Sequence, residues 1–356
     1  MFEGIADARK IGHHMLNPQR LPIRKCILES GSPTARTILH AAHPRTAANV
    51  AALKTNLTPQ MAAKPLNSLK VDGILDAAVL VWAQHMNALT WPFQPVIDGE
   101  GGVVPDLPLK LWEGKTFGTA EGEMAAVMTG FCSHEGADFI PKRPASFTKF
   151  FSTLIPNLTA SDMDSLEALY PESKYASQAQ RMGEAYGHFA YICPVLHTAH
   201  AASQKPGGRV YLYEFAALTS EATRSAAHAS HGETLTRATP GKWPGMGSVG
   251  AAMHARWTSF IASPEGVISN DQGEEASVDN TVWPVFETPF GEGATGKGEL
   301  LVFGDGNDEI IGGKNKGTPV KTRVLTEREK EVCRFWWDRM ELSQGNGEKG
   351  VVKKTW

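Results

Sequence analysis

The stretch AAVMTGFCSHEG, residues 125–136, decides the fold class of this chain. Its first five residues are apolar at nearly every position, which is typical of a strand buried on both faces of a parallel sheet. Glu135 and Gly136 follow directly, at the place where α/β sheets hold ligands and catalytic groups. Glu135 is therefore a candidate functional residue, although local sequence alone leaves a solvated loop glutamate as an equal alternative.

Two further apolar runs, Lys25–Glu29 and Val210–Phe215, have the same character. Long segments with helical periodicity lie between the runs, for example Ser161–Ala168 and Gln178–Ala190. Strands that alternate with helices predict an α/β fold, with a mostly parallel sheet covered by helices on both faces.

The last third of the chain carries two other local signals. Glycines crowd among charged residues from Thr288 to Thr318, which predicts an irregular surface excursion with one short strand, Leu300–Phe303. Thr326 stands three residues before Glu329, and this capping box predicts a helix over Leu325–Trp337. Because the sequence shows no internal repeat and no linker, we expect one domain over residues 1–356.

Composition limits the classes of partner. The 356 residues include 42% hydrophobic residues, enough for a large core, and 35 basic and 38 acidic residues give a net charge of -3. We therefore expect neither nucleic acid nor an anionic membrane surface as a partner. The apolar windows fall short of the about 20 residues that a membrane-spanning helix needs, so no transmembrane segment is expected.

Several features bear on the compartment. Residues 1–20 do not resemble a signal peptide, yet Asn56 and Asn157 each begin an Asn-Leu-Thr sequon for glycosylation, which modestly favours secretion. Four cysteines are widely spaced and form no Cys-x-x-Cys pair, which argues against a zinc ribbon or a thioredoxin-type site.

Segment by segment, the chain resembles the type B carboxylesterase/lipase family, the cholinesterase-like α/β-hydrolases. The resemblance covers essentially the whole chain, but it corresponds to about the second half of a family member. An α/β-hydrolase fold is the fold that it implies, here without the N-terminal strands and the nucleophile elbow. The matching segments are Ile27–Pro33, Phe93–Gly99, Val104–Pro108, Val127–Gly136, Tyr211–Phe215, His231–Glu233 and Cys333–Trp336.

The resemblance implies a Ser-His-Glu triad for acyl transfer from a carboxylic ester to water. Glu135 matches the acid. The family's His-Gly-x-acidic pattern is best matched by His231-Gly232-Glu233, and this pattern favours His231 as the base over the neighbouring His228.

The nucleophile is the part of the triad that the sequence does not supply. The helix after the family's Gly-x-Ser-x-Gly elbow resembles the segment from Ala8 onward, which places Ile5 at the serine and Asp7 at the second glycine. A shift of the alignment by one residue places Ala6 at the serine instead. Neither Ile5 nor Ala6 has a hydroxyl group. Ser30 and Ser32 belong to the end of the next strand in the family, where serines are structural.

Cys193 and Cys333 match the positions where secreted cholinesterase-like members form a disulfide that anchors the last helix. Two buried thiols are the alternative reading of this pair. Cys26 and Cys132 lie within apolar strands and are expected in the core.

The expected function is therefore carboxylic-ester hydrolysis, with a small-molecule or lipid ester as substrate and no cofactor or metal. A truncated or mis-spliced coding sequence would explain the absent serine. The first alternative is a catalytically inactive interaction protein on the same scaffold. A metal-dependent hydrolase that uses the pairs His228/His231 or His197/His200 ranks last. The family implies secretion, whereas a true start at Met1 would imply the cytoplasm.

Overall fold

The computed structural model describes residues 2–3, 8–17, 23–35, 37–85, 91–114, 126–140, 146–236, 241–268, 280–350, 354 and 356. Within these ranges the strands are β1 Phe2–Glu3, β2 Lys25–Glu29, β3 Ile38–His40, β4 Val96–Ile97, β5 Ala126–Cys132, β6 Arg209–Phe215, β7 Glu299–Asp305, β8 Thr318–Val324 and β9 Gln344–Gly345. The α-helices are α1 Ala8–Met15, α2 Pro44–Thr55, α3 Pro59–Ala62, α4 Val71–His85, α5 Pro108–Glu113, α6 Phe147–Leu154, α7 Ala160–Leu169, α8 Gln178–Gly187, α9 Cys193–Ser203, α10 His231–Leu235, α11 Pro244–Ala262 and α12 Glu327–Trp337.

The main sheet has the order β1-β2-β5-β6-β7-β8. Its strands pair in parallel from β1 to β7, and β8 joins antiparallel to β7. The predicted mostly parallel sheet is thus confirmed, with β2, β5 and β6 at the three apolar runs. Pro319, Lys321 and Arg323 lie on β8, where proline and charged side chains discourage pairing with another chain.

Helices cover both faces of this sheet. Because successive side chains of a strand point to opposite faces, each strand packs against helices on both sides. On β2, Cys26 and Leu28 join the cluster formed with α1, α6, α8, α9 and α12. Ile27 belongs instead to the second cluster, whose helical side is mainly α11. The same alternation runs along β5 and β6, so each buried strand contributes to both halves of the core.

The prediction for the glycine-rich segment was only partly right. Leu300–Phe303 does form a strand, but β7 is buried inside the main sheet between β6 and β8, not on a surface excursion. Its neighbour β8 was not expected, because its alternation of polar residues gives no apolar run.

The predicted helix near the end of the chain is confirmed as α12. Thr326 Oγ1 accepts a hydrogen bond from the backbone N–H of Glu329, and the Glu329 carboxylate accepts one from the N–H of Thr326. The capping box therefore satisfies two backbone donors at the helix start.

A second, three-stranded parallel sheet has the order β4-β3-β9. The helices α2, α3 and α4 share a small apolar cluster of their own. No helix in the described ranges combines the length and apolar character required to cross a lipid bilayer.

A disulfide joins Cys193, the first residue of α9, to Cys333 in α12. This is the pair that the family resemblance implied. The Trp337 indole N–H donates to the Cys193 carbonyl at 2.7 Å, so the two helices are also joined by a hydrogen bond beside the bridge. Cys26 and Cys132 are buried free thiols.

The disulfide should contribute strongly to stability. The cysteines are 140 residues apart, and closing so long a loop removes chain entropy from the unfolded state. Changing both residues to alanine should lower the free energy of unfolding by about 4–5 kcal/mol. Urea denaturation measures this, and Cys26→Ala, which removes a buried thiol outside the bridge, is the matched control. A loss no larger than that of the control would contradict the prediction.

Candidate active site

The Glu135 carboxylate lies fully buried in the turn that follows β5. Its Oε1 accepts a hydrogen bond of 2.7 Å from the backbone N–H of Cys132, the last residue of the strand. The Glu135 side chain is therefore fixed to the carboxyl end of the sheet, as its position in the sequence predicted.

Glycines allow this turn to pack directly against α8. A Cβ atom on Gly136 would lie 1.9 Å from the carbonyl oxygen of Gly183, and one on Gly187 would lie 2.8 Å from the backbone nitrogen of Gly136. Because no side chain fits at either contact, the backbone beside Glu135 touches the helix backbone. The acid is thus positioned by a rigid element.

His228 lies in the loop that follows β6 and faces Glu135. Its Nδ1 is 2.5 Å from Glu135 Oε2, and its side chain is 16% exposed. The loop is held next to the Glu135 turn by a bridge between His134 and Ala227 and by a 3.0 Å hydrogen bond from His134 N–H to the Ala226 carbonyl. The fold therefore brings together an acid and a histidine that are 93 residues apart.

Aromatic rings flank the His228 imidazole. The Tyr191 ring centroid is 4.3 Å from that of His228, and the Phe139 centroid is 5.4 Å away. These rings restrict the rotation of the imidazole and reduce the access of water to its hydrogen bond with Glu135.

His231, the histidine that the sequence pattern favoured, occupies a different environment. It begins α10, is fully buried, and its Nε2 lies 3.3 Å from Glu29 Oε2. Its Nδ1 is 3.4 Å from the Sγ of Cys132. The structure thus pairs Glu135 with His228, and it pairs His231 with Glu29 beneath the site.

Sequence reasoning did not identify the residues around His231. Glu29 and Cys132 end the strands β2 and β5, Tyr213 lies on β6, and Trp257 lies on α11. A carboxylate at the end of an apolar strand was the available signal at Glu29, since a buried charge requires a partner.

Comparisons with known proteins give the family and the fold of the chain. Residues 6–286 match the carboxylesterase family. The chain belongs to this family. The crystal structure of Aspergillus niger EstA superposes with a TM-score of 0.63 at 15% sequence identity, and the match covers 96% of this chain and 64% of EstA. The expected α/β-hydrolase fold is thereby confirmed.

The chain is also similar in sequence to secreted lipase 4 of Gibberella zeae. The two are 30% identical over 156 residues, which cover 39% of this chain and 26% of the lipase. The chain thus matches about a quarter of that relative and just under two thirds of EstA.

The position assigned to the family's nucleophile, Ile5 with its neighbours Ala6 and Asp7, lies outside the described residues. Ser30 and Ser32 are buried behind the end of β2. Ser30 has a positive φ of 52°, and its Oγ has no hydrogen-bond partner among the described residues. Ser32 Oγ is 2.8 Å from the Thr198 hydroxyl, a contact within the core.

The second histidine pair lies in an apolar environment. His197 and His200 are buried in α9, and the Trp337 ring packs against both, with centroids 5.3 and 5.5 Å away. In the part of the chain that the structure describes, no group of three or more His, Cys, Asp or Glu side chains could hold a metal ion.

The two sequons lie at positions with different exposure. Asn157 is exposed, and its side-chain amide donates to the Gly347 carbonyl at 3.1 Å. Asn56 is half-buried at the end of α2, where its amide donates to the Ala52 carbonyl at 2.9 Å. Glycosylation at both remains a prediction.

Four buried histidines should make this carboxylesterase-family chain sensitive to acid. Burial lowers the pKa of His13 and His197 to about 3 and that of His188 and His200 to about 4. In the unfolded chain each would titrate near 6.5. Because the unfolded state then binds more protons, stability is full above about pH 6.5 and falls as the pH decreases towards 4.

The His197→Gln variant measures one of these contributions. Between pH 6 and 4.5 the wild-type free energy of unfolding should fall more steeply than that of the variant, by about 1.4 kcal/mol per pH unit for the single proton. Urea denaturation at several pH values gives both slopes. His254→Gln, at an exposed helical position, is the matched control. Equal slopes in the wild type and His197→Gln would refute the prediction.

Proposed function

We propose that this chain carries two members of the triad of a carboxylic-ester hydrolase that works by acyl transfer, with Glu135 as the acid and His228 as the base. The observation that carries the proposal is the 2.5 Å contact between Glu135 Oε2 and His228 Nδ1 at the carboxyl end of the parallel sheet. Family membership supports the reaction class.

The geometry suits general base catalysis. With Nδ1–H donating to the Glu135 carboxylate, the imidazole of His228 presents Nε2 as the atom that accepts a proton from a nucleophilic hydroxyl. The carboxylate fixes this tautomer and stabilises the imidazolium that forms. As the acyl group passes to the nucleophilic hydroxyl, the same Nε2–H protonates the alcohol that leaves. A water molecule then repeats the cycle at the acyl-enzyme and releases the carboxylic acid.

Accessibility supports His228 over His231 as the base. The His228 side chain is partly exposed, whereas His231 is fully buried and both of its ring nitrogens already face protein atoms. A base that transfers protons to a substrate must reach it directly or through one water molecule. The His-Gly-x-acidic pattern would therefore mark His231, which lies three residues after the base and is not the base itself.

The proposed triad requires a serine, and the sequence has Ile5 at the corresponding position. We further propose that residues 1–356 form part of a single α/β-hydrolase domain. The secreted relative in Gibberella zeae favours an extracellular location, and the substrate would be a small-molecule or lipid ester.

An inactive interaction protein is the second candidate. The observation that favours it is again Ile5, since a scaffold that no longer cleaves esters needs no hydroxyl there. This candidate leaves the tight contact between Glu135 and His228 without a catalytic purpose.

A serine introduced at position 5 tests the proposed roles of Glu135 and His228. Because the family resemblance assigns residue 5 to the nucleophile, the variant Ile5→Ser should react covalently with a fluorophosphonate probe, with His228 as the acceptor of the hydroxyl proton. Adding His228→Ala should slow the labelling by roughly 10²-fold or more, the usual contribution of a general base. Mass spectrometry of the labelled protein measures the rate and locates the modified residue.

The unaltered chain is the baseline of this experiment, and Ile5→Ser with His254→Ala is the control for loss of an unrelated histidine. The unaltered chain should hydrolyse short p-nitrophenyl esters no faster than the single variant His228→Ala does. Equal labelling of Ile5→Ser with and without His228 would remove this histidine from the mechanism. Labelling of the unaltered chain at Ser30 or Ser32 would identify a different nucleophile.

A further inference from the structure

A buried polar cluster lies under the candidate site, and the proposed chemistry does not use it. Glu29, Cys132 and Tyr213 come from the neighbouring strands β2, β5 and β6, and His231 lies between them. The Trp257 indole N–H donates to Glu29 Oε1 at 2.9 Å. All five side chains are at most 3% exposed.

The strand register explains how these groups meet. Glu29 pairs with Gly130, and Gly130 pairs with Tyr213, so the three residues lie level across the sheet. A Cβ atom on Gly130 would lie 2.2 Å from Cδ1 of the Tyr213 ring. The glycine therefore lets the Tyr213 ring lie across β5 towards Glu29. Cys132 points to the same face, two residues further along the strand.

The surroundings of His231 suit an imidazolium. Nε2 faces the Glu29 carboxylate at 3.3 Å and the Tyr213 hydroxyl at 3.4 Å, while Nδ1 faces the Cys132 sulfur. Burial alone would lower the pKa of His231, but the Cys132 sulfur and the Glu29 carboxylate raise it well above its usual range. Burial raises the pKa of the Cys132 thiol.

The loop that carries His228 is fixed at both ends. Before His228, the bridge between Ala227 and His134 joins it to the turn that holds Glu135. After His228, Ala229 adopts a positive φ of 72°, and three residues from His228 the chain reaches the buried His231. A non-glycine residue with positive φ is strained and persists only where the surrounding structure holds it.

We infer that the His231–Glu29 ion pair positions the base: it anchors the start of α10, keeps Ala229 in its strained conformation, and so holds His228 against Glu135. This inference rests on the proposed function, in which His228 is the base. His231 and Glu29 are thus positioning residues that do not touch the substrate.

Proton NMR of the chain labelled with nitrogen-15 histidine tests this inference without any ester. The Nδ1 proton of His228, hydrogen-bonded to Glu135, should give a strongly deshielded signal that disappears in His228→Gln. In His231→Gln and in Glu29→Gln this signal should be lost, or its exchange with water should accelerate by roughly tenfold or more. Circular dichroism and urea denaturation establish that each variant is folded.

A conservative variant protects the test against misfolding, because each glutamine substitution leaves a buried charge without its partner. Glu29→Asp keeps the charge and shortens the side chain by one methylene group, so the fold should persist while the His228 proton exchanges faster. Glu309→Asp is the matched control, since Glu309 is a buried carboxylate that accepts from the Met246 N–H at the start of α11. In Glu309→Asp the His228 Nδ1 proton should exchange at the same rate as in the wild type.

The possible results separate the inference from the proposed function. An unchanged His228 signal in folded Glu29→Asp would overturn the positioning role, and so would an equal change in Glu309→Asp. A wild type without the deshielded signal would instead refute the contact between His228 and Glu135, on which the proposed function depends. Faster exchange in Glu29→Asp alone is the expected result.

Discussion

Parallel pairing of β2, β5 and β6 is the constraint on which the rest of this structure depends. Parallel strands end at the same edge of a sheet, so groups that are far apart in sequence meet there without a long irregular loop. The edge receives Glu135 from β5 and His228 from the loop after β6. The helices on both faces exclude water from the base of the site, which strengthens the electrostatic interactions within it.

Two acid–histidine pairs lie at this edge, and they differ in their position relative to the sheet. Glu135 and His228 lie beyond the strand ends, and the His228 side chain is partly exposed. Glu29 and His231 lie on the face covered by α11, where only protein atoms can reach them. A single short segment carries both histidines, so the chain links the proposed reactive pair directly to the buried pair.

Much of the fold could be predicted from the sequence, because apolar runs and a capping box are local signals. The bounds of β2 and the start of α12 followed directly from them. The edge strand β8 gave no such signal, because one of its faces is polar. The choice between His228 and His231 was beyond local sequence, since it depends on which ring faces the Glu135 turn once α10 has formed. The location of Glu135 at the carboxyl end of the sheet was predictable, because the residue directly follows a buried strand. Its complete burial was not, since local sequence left a solvated loop glutamate as an equal alternative.

The connection between α8 and α9 has a consequence for the surroundings of His228. Residues His188–Ile192 form a π-helical turn, which holds one more residue than an α-helical turn. In an α-helix each residue advances by about 100° around the axis, so regular winding through this segment would rotate Tyr191 away from the His228 ring. The irregular turn thus changes the rotational register of the residues that follow it. One continuous helical segment can therefore present glycines to the Glu135 turn and, further along, an aromatic ring to the imidazole.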